Sequence, residues 1–454
     1  MNLQARPDER TAPTSAIAAA AVALRFEHLP EHVVTLAGQC LLDWIGVSIA
    51  AADEPAVRIL VEQAREEGAL PRASLAGHNG KVSTRQAALI NGAASHALDF
   101  DDVNVTMVGH PTVAVMPSVL ALAEARGATG ADVVAGFVAG YEAACRVGHM
   151  VSPGHYARGF HVTATVGSLG SAAGCSNLLR LSSQQTAQAL GIAATQAAGL
   201  KSMFGTMCKP FHAGKANENG LLAAQLAARG FESRADVIEC EQGFAATQSS
   251  DFAPDRIWPP GAFHITENLF KYHASCYQTH AAIEALRAIK DAHGLQPADV
   301  AGIVLMHDAG ADTVCNIHEP RSGLEAKFSL RILAAFALAG IDTARAENFS
   351  EENVTAPELV ALRERVEVRF TPDWPITRSE AAVLLKDGRT LTAAHDSGIP
   401  DADLARQEAR LSAKFMSLVE PRLGRDRAAR LAELALKVGS LQSLDEMMSL
   451  MSAQ

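Results

Sequence analysis

Residues 131–148 read ADVVAGFVAGYEAACRVG, and this stretch decides the fold. Its apolar side chains would cover more than one face of a helix, and a helix apolar all round belongs inside a large bundle. Its Gly and Ala content would let neighbouring backbones approach closely. Residues 113–126 (VAVMPSVLALAEAR) have the same texture, and Ser15–Arg25 and Glu31–Ala52 read as further apolar helices. Ser182 with Gln185 fits a capping box ahead of a helix over 184–199. From Thr14 to about Ala228 the chain is a succession of Ala-rich helices.

The pattern changes after about residue 296. Val300–His307 (VAGIVLMH) and Arg365–Phe370 (RVEVRF) read as strands. Ala381–Leu385 runs into Lys386-Asp387-Gly388-Arg389 and then Thr390–Ala393, and Asp-Gly between two apolar runs signals a hairpin. Ser329–Gly340 reads as a buried helix between these strands. Helices return over 401–418, 425–438 and after Ser443. Breaks rich in Pro and Gly fall near Pro254–Gly261 and Gly398–Pro400. The fold class is mainly α: a large all-helical domain (1–270 plus 400–454) with an inserted smaller α+β lid domain (271–399).

Composition narrows the function. The 454 residues carry 39 basic and 50 acidic side chains, a net charge of −11, with no basic block, which argues against nucleic-acid binding. Apolar residues make up 48%, enough for a large core, and aromatics only 5%, which favours closely packed helices. The seven cysteines are scattered, with no C-x-x-C, so neither a disulfide framework nor a zinc knot is expected. Arg6, Asp8, Glu9 and Arg10 leave no apolar core for a secretory signal. The run Leu41–Ala51 is interrupted by Asp43, and Ser329–Gly340 contains Arg331, so no membrane span is expected. A cytoplasmic protein is the expectation.

Polar residues in unusual company gather in five stretches. These are His96-Ala97-Leu98-Asp99-Phe100-Asp101-Asp102 with Gly109-His110-Pro111; Arg158-Gly159-Phe160-His161; Gly205-Thr206-Met207-Cys208-Lys209-Pro210-Phe211-His212; Lys271-Tyr272-His273-Ala274-Ser275-Cys276; and Glu325-Ala326-Lys327-Phe328-Ser329. His161 precedes a Gly/Ala-rich helix whose N-terminus suits an anion, and it is the preferred base. Lys209 sits among apolar neighbours and calls for an anionic partner, a protein carboxylate or a substrate. Lys271 and His273 alternate, as either functional residues or a surface pair. His212 could orient a neighbour, and Ser329 could grip a carboxylate or simply cap a helix.

Together with Leu42-Asp43-Trp44-Ile45-Gly46-Val47, these stretches make the chain resemble the MmgE/PrpD family, which includes 2-methylcitrate dehydratases, cis-aconitate decarboxylases and iminodisuccinate epimerases. The resemblance implies a homodimer that needs no metal or organic cofactor and binds a small di- or tricarboxylate. The site residues it marks are Asp99, His110, His161, Lys209 and Lys271, with Cys276 standing where the decarboxylases have a catalytic His. Val103 stands where they have Thr, and Tyr272-His273-Ala274-Ser275-Cys276 departs from the Tyr-Pro-Cys-Cys of many dehydratase-like members.

The residue chemistry agrees with that class. Taking a proton from carbon next to a carboxylate needs a base such as His and cations over the developing charge, which Lys209 and Lys271 could supply. A hydro-lyase of the 2-methylcitrate dehydratase type is the leading expectation. The alternatives are an epimerase of an imino- or amino-dicarboxylate, a cis-aconitate decarboxylase-like enzyme, and a carboxylate-binding protein without catalysis. No metal site is expected, since no pattern such as H-E-x-x-H is present.

Overall fold

The computed structural model describes residues 12–256 and 262–452. The N-terminal residues Arg6 to Arg10 and the end of the 254–261 break lie outside the described residues. The chain divides into two compact units, Met1–Asn268 with Ala402–Gln454, and Leu269–Asp401.

The larger unit is built from helices. Pro13–Ala23, Glu31–Ala50, Pro111–Arg126, Gly130–Val151 and Val162–Leu178 stand where the sequence predicts them, in part with shifted ends. Nearly every residue of Gly130–Val151 and Val162–Leu178 is buried, whichever way it points. The approach of these two helices requires glycine: a Cβ on Gly140 would sit 2.6 Å from the Gly170 carbonyl oxygen, and one on Gly170 would sit 2.9 Å from that of Gly140. A short antiparallel pair, β1 (Ala73–Ser74) with β2 (Lys81–Val82), is the one sheet among the described residues of this unit.

Helix Glu31–Ala50 ends two residues before the predicted Ala52 and passes for a membrane span by length and composition. It is the core helix of its unit instead, 83% buried along its most apolar window. Its one acid in that core, Asp43, is neutralised by Lys414 of helix Leu404–Leu423, with Nζ 2.6 Å from Oδ1. The same ammonium donates to the Phe100 carbonyl at 2.7 Å, which ties the C-terminal helices to the loop after residue 98.

The helix expected over 184–199 spans Ser183–Ala194, opened by the Ser182/Gln185 capping box. It stops early because the following residues serve another purpose: Leu200 bridges Phe160, and the Gly199 carbonyl accepts the His161 N–H at 3.0 Å.

The smaller unit holds a four-stranded mixed sheet, β3 (Val300–Asp308), β4 (Val366–Thr371), β5 (Arg378–Leu385) and β6 (Thr390–Asp396), in the order β4-β3-β5-β6. β3 and β4 run parallel, and the connection between them contains helices Leu330–Ala339 and Pro357–Arg363. β5 and β6 form the hairpin on Asp387-Gly388, where Gly388 takes φ +90. Alternate residues Ile303 and Leu305 on β3 and Ala381, Val383 and Leu385 on β5 are buried, as a half-buried sheet requires.

Candidate active site

Helix Thr84–Ala97 opens on the capping box of Ser83 and Gln86 and delivers His96 in its last turn. The chain then reverses at Asp99, whose φ of +54 is a left-handed conformation that Asp tolerates better than most residues. Phe100, Asp101 and Asp102 enter the core. Asn104 pairs with Gly109, and His110 becomes the N-cap of helix Pro111–Arg126. His161 is the N-cap of helix Val162–Leu178. These two helix starts are neighbours, since the His110 N–H donates to Thr163 Oγ1 at 3.2 Å. Neither has a side-chain cap, so both present unfilled helix-terminal charge to the same neighbourhood.

Four imidazoles and one ammonium meet there. His96 and His110 lie edge to face with ring centroids 4.7 Å apart, and His96 stacks on His161 at 5.7 Å. His161 and His212 share a hydrogen bond of 3.1 Å between their Nδ1 atoms. Lys209, in the first turn of helix Cys208–Ala227, places Nζ 2.6 Å from Asp99 Oδ1. Phe204 closes over His161 at 4.9 Å. The sequence-predicted residues Asp99, His110, His161, Lys209 and His212 therefore come together in the larger unit.

Two residues that the reading of motifs passed over organise this group. Asp101 Oδ2 accepts from Nδ1 of His96 at 2.9 Å and from Nδ1 of His110 at 2.8 Å. Burial works against its charge, yet the two imidazoles and the hydrogen bonds they donate hold Asp101 well below the usual carboxylate range. Both rings are thereby fixed with the proton on Nδ1 and a lone pair on Nε2. The only sequence signal was the spacing of His96 and Asp101, five apart across a helix end.

Burial pulls the His161 imidazole well below its ordinary range, and the nearby charges of His96, Lys209, His110 and His212 add to this. His96 is pulled to about 4, chiefly by burial. These rings are neutral at pH 7, and an anionic ligand would raise their affinity for a proton. Among the described residues, His96, Asp99 and His110 each bring a ligand atom to within 4.8 Å of the others.

The remaining candidates belong to the smaller unit. Lys271 and His273 are buried rather than a surface pair. The His273 Nδ1 meets Thr343 Oγ1 at 2.7 Å and its Nε2 meets Glu284 at 3.0 Å, so both ring nitrogens have protein partners. Ser329 is an N-cap: its hydroxyl donates to the Ile317 carbonyl and accepts from the Ile332 N–H. Cys276 is partly buried, and its N–H donates to the Lys327 carbonyl at 3.0 Å.

Residues 15–257 match the MmgE/PrpD N-terminal domain, and residues 273–439 match the MmgE/PrpD C-terminal domain. The chain belongs to the MmgE/PrpD family. It is similar to the cis-aconitate decarboxylase of Homo sapiens, 29% identical over 404 residues that cover 85% of this chain and 83% of that one. The Mus musculus cis-aconitate decarboxylase is 26% identical over 438 residues, 92% of this chain and 89% of its own. That of Aspergillus terreus is 25% identical over 471 residues, 97% and 96%. These relatives are decarboxylases of cis-aconitate.

Proposed function

We propose that this MmgE/PrpD protein passes its substrate, a small tricarboxylate, through a carbanion stabilised by a neighbouring carboxylate, and that the net reaction is decarboxylation. The observation that carries the reading is the joint placement of His161, His110 and the Lys209–Asp99 pair at two uncapped helix starts. Helix-terminal N–H groups and an ammonium suit an acid with several negative charges, and they stabilise the enolate-like charge that develops during reaction.

In the proposed step the bond to the departing carboxylate breaks and CO2 leaves. The electron pair stays on carbon, delocalised onto the remaining acid. His161, whose proton affinity rises when the substrate brings its negative charge, delivers a proton to that carbon. Lys209 holds a carboxylate, and Asp99 holds Lys209. Lys271 and Cys276 are proposed participants on the strength of the family resemblance, and a homodimer is proposed on the same ground. No step needs an organic cofactor.

The similar decarboxylases favour this reaction over the hydro-lyase that the motifs alone suggest. Val103 and Cys276 favour the second reading, dehydration or epimerisation through the same carbanion, because they replace the Thr and His that the resemblance leads one to expect. A panel of di- and tricarboxylates followed by proton NMR in D2O separates the three. Decarboxylation gives a product one carbon shorter with deuterium at the new C–H. Dehydration gives a new vinyl signal without carbon loss, and epimerisation gives exchange alone. Silence with every acid would sink the catalytic reading.

A further inference from the structure

We propose that His96, His110 and Asp99 form a binding site for a divalent transition-metal ion of the zinc class, and that the ion competes with Lys209 for Asp99. Three observations in the larger unit carry this. Ligand atoms of the three residues already lie within 4.8 Å of one another. Donors around one zinc ion sit roughly 3.3 Å apart at ordinary bond lengths, so small side-chain rotations complete the set.

The second observation is the arrangement behind the ligands. A metal-binding imidazole characteristically donates its other N–H to a carboxylate or carbonyl, which fixes its tautomer and raises its basicity. Asp101 does this for His96 and His110 at once, and the Asp102 carbonyl also accepts from His110 Nδ1 at 2.8 Å. With both Nδ1 atoms engaged, the nitrogens left to bind an ion are the two Nε2 atoms.

Third, the His96 Nε2 is buried and has no hydrogen-bond partner. A polar atom in that state calls for an explanation, and a ligand ion supplies one. His110 and Asp99 are 13% and 25% exposed, so an ion can reach them from solvent. The ammonium of Lys209 at 2.6 Å shows that Asp99 already accommodates positive charge. An arriving ion must displace it, and the metal therefore inhibits the carboxylate chemistry. That last clause rests on the function proposed above; the binding itself does not.

The test is direct titration of chelator-treated full-length protein with Zn2+ against a chromogenic chelator, and with Co2+ followed by its visible absorption, both without substrate. Wild type is expected to take up one ion per chain at this site. Lys209→Met removes the competitor and should tighten binding about tenfold or more. Asp101→Asn should weaken it about 10–100-fold, and His96→Ala should abolish it. Failure of wild type to bind one ion, or unchanged affinity in Lys209→Met, overturns the proposal. Lys209 is partly exposed, so that variant decides the matter even if His96→Ala does not fold. Because turnover is measured separately, a silent carboxylate panel leaves metal uptake intact, and absent uptake leaves turnover intact.

Discussion

Asp99 and Lys209 are 110 positions apart in sequence and 2.6 Å apart in space, and the aspartate makes that contact from a left-handed backbone conformation. Conformation and chemistry at residue 99 can therefore be separated. Asp99→Asn and Asp99→Ala both remove the charge that steadies Lys209, and both should lose turnover. Asn accepts the left-handed conformation and Ala does not, so Asp99→Ala should be about 1–2 kcal/mol less stable than Asp99→Asn. Urea melts set beside steady-state kinetics check both halves.

Replacing His161 by Asn should lower kcat by about 100-fold to 10,000-fold and abolish deuterium delivery to carbon. His212→Asn, which removes only the partner of His161 Nδ1, should cost less. The pH profile gives the direction of proton flow. As a donor, His161 must be protonated in the complex, so kcat should fall as pH rises through its substrate-raised pKa. A fall toward acid pH would instead mark it as a base and favour dehydration or epimerisation.

Acid should weaken the fold through two histidines. His96 and His155 are both pulled to about 4, chiefly by burial, so the native state keeps them neutral where the unfolded chain is protonated. Each contributes on the order of 3 kcal/mol that is present above pH ~6.5 and is lost as pH falls toward 4. Asp102 acts with the opposite sign: burial, with Asp43 and Asp101 adding, raises it to about 7, so its contribution is lost as pH rises from ~4, where the unfolded carboxyl ionises, to about 7. Stability measured from pH 4 to pH 9 should show His155→Gln weakening the rise in stability between pH ~4 and ~6.5, and Asp102→Asn steepening it by removing the opposing fall.

Lys414→Met should destabilise the protein by about 3–5 kcal/mol, because it leaves Asp43 charged and buried. It also removes the donor to the Phe100 carbonyl. Replacing Asp43 with Leu in the same chain should recover most of the stability but not the anchoring of the 99–102 loop. Calorimetry of the single and double variants, with kinetics of the double, separates the two effects.

Much of this architecture was legible in the sequence because it depends on local rules. The Asp387-Gly388 hairpin, the Ser182/Gln185 cap and the all-round apolar helix Gly130–Val151 each need only neighbours in sequence to specify them. The site was legible in its ingredients, since Asp99, His110, His161 and Lys209 could be picked out as polar residues in unusual company. What was hidden depends on long-range contact. Nothing near Ala194 announces that the next residues must leave the helix to receive the His161 N–H. The partners of Ser329 and His273, namely Ile317, Thr343 and Glu284, lie 11 to 70 positions away. Asp101 was passed over among three aspartates whose roles only their partners distinguish.

The two adjoining helix starts at residues 111 and 162 carry no capping side chain. Main-chain amides are supplied by every codon except proline's, so beyond Pro111, which has none, attraction for an acid there survives mutation of the residues around it. Such a scaffold tolerates the exchange of neighbouring side chains while still receiving the same kind of cargo.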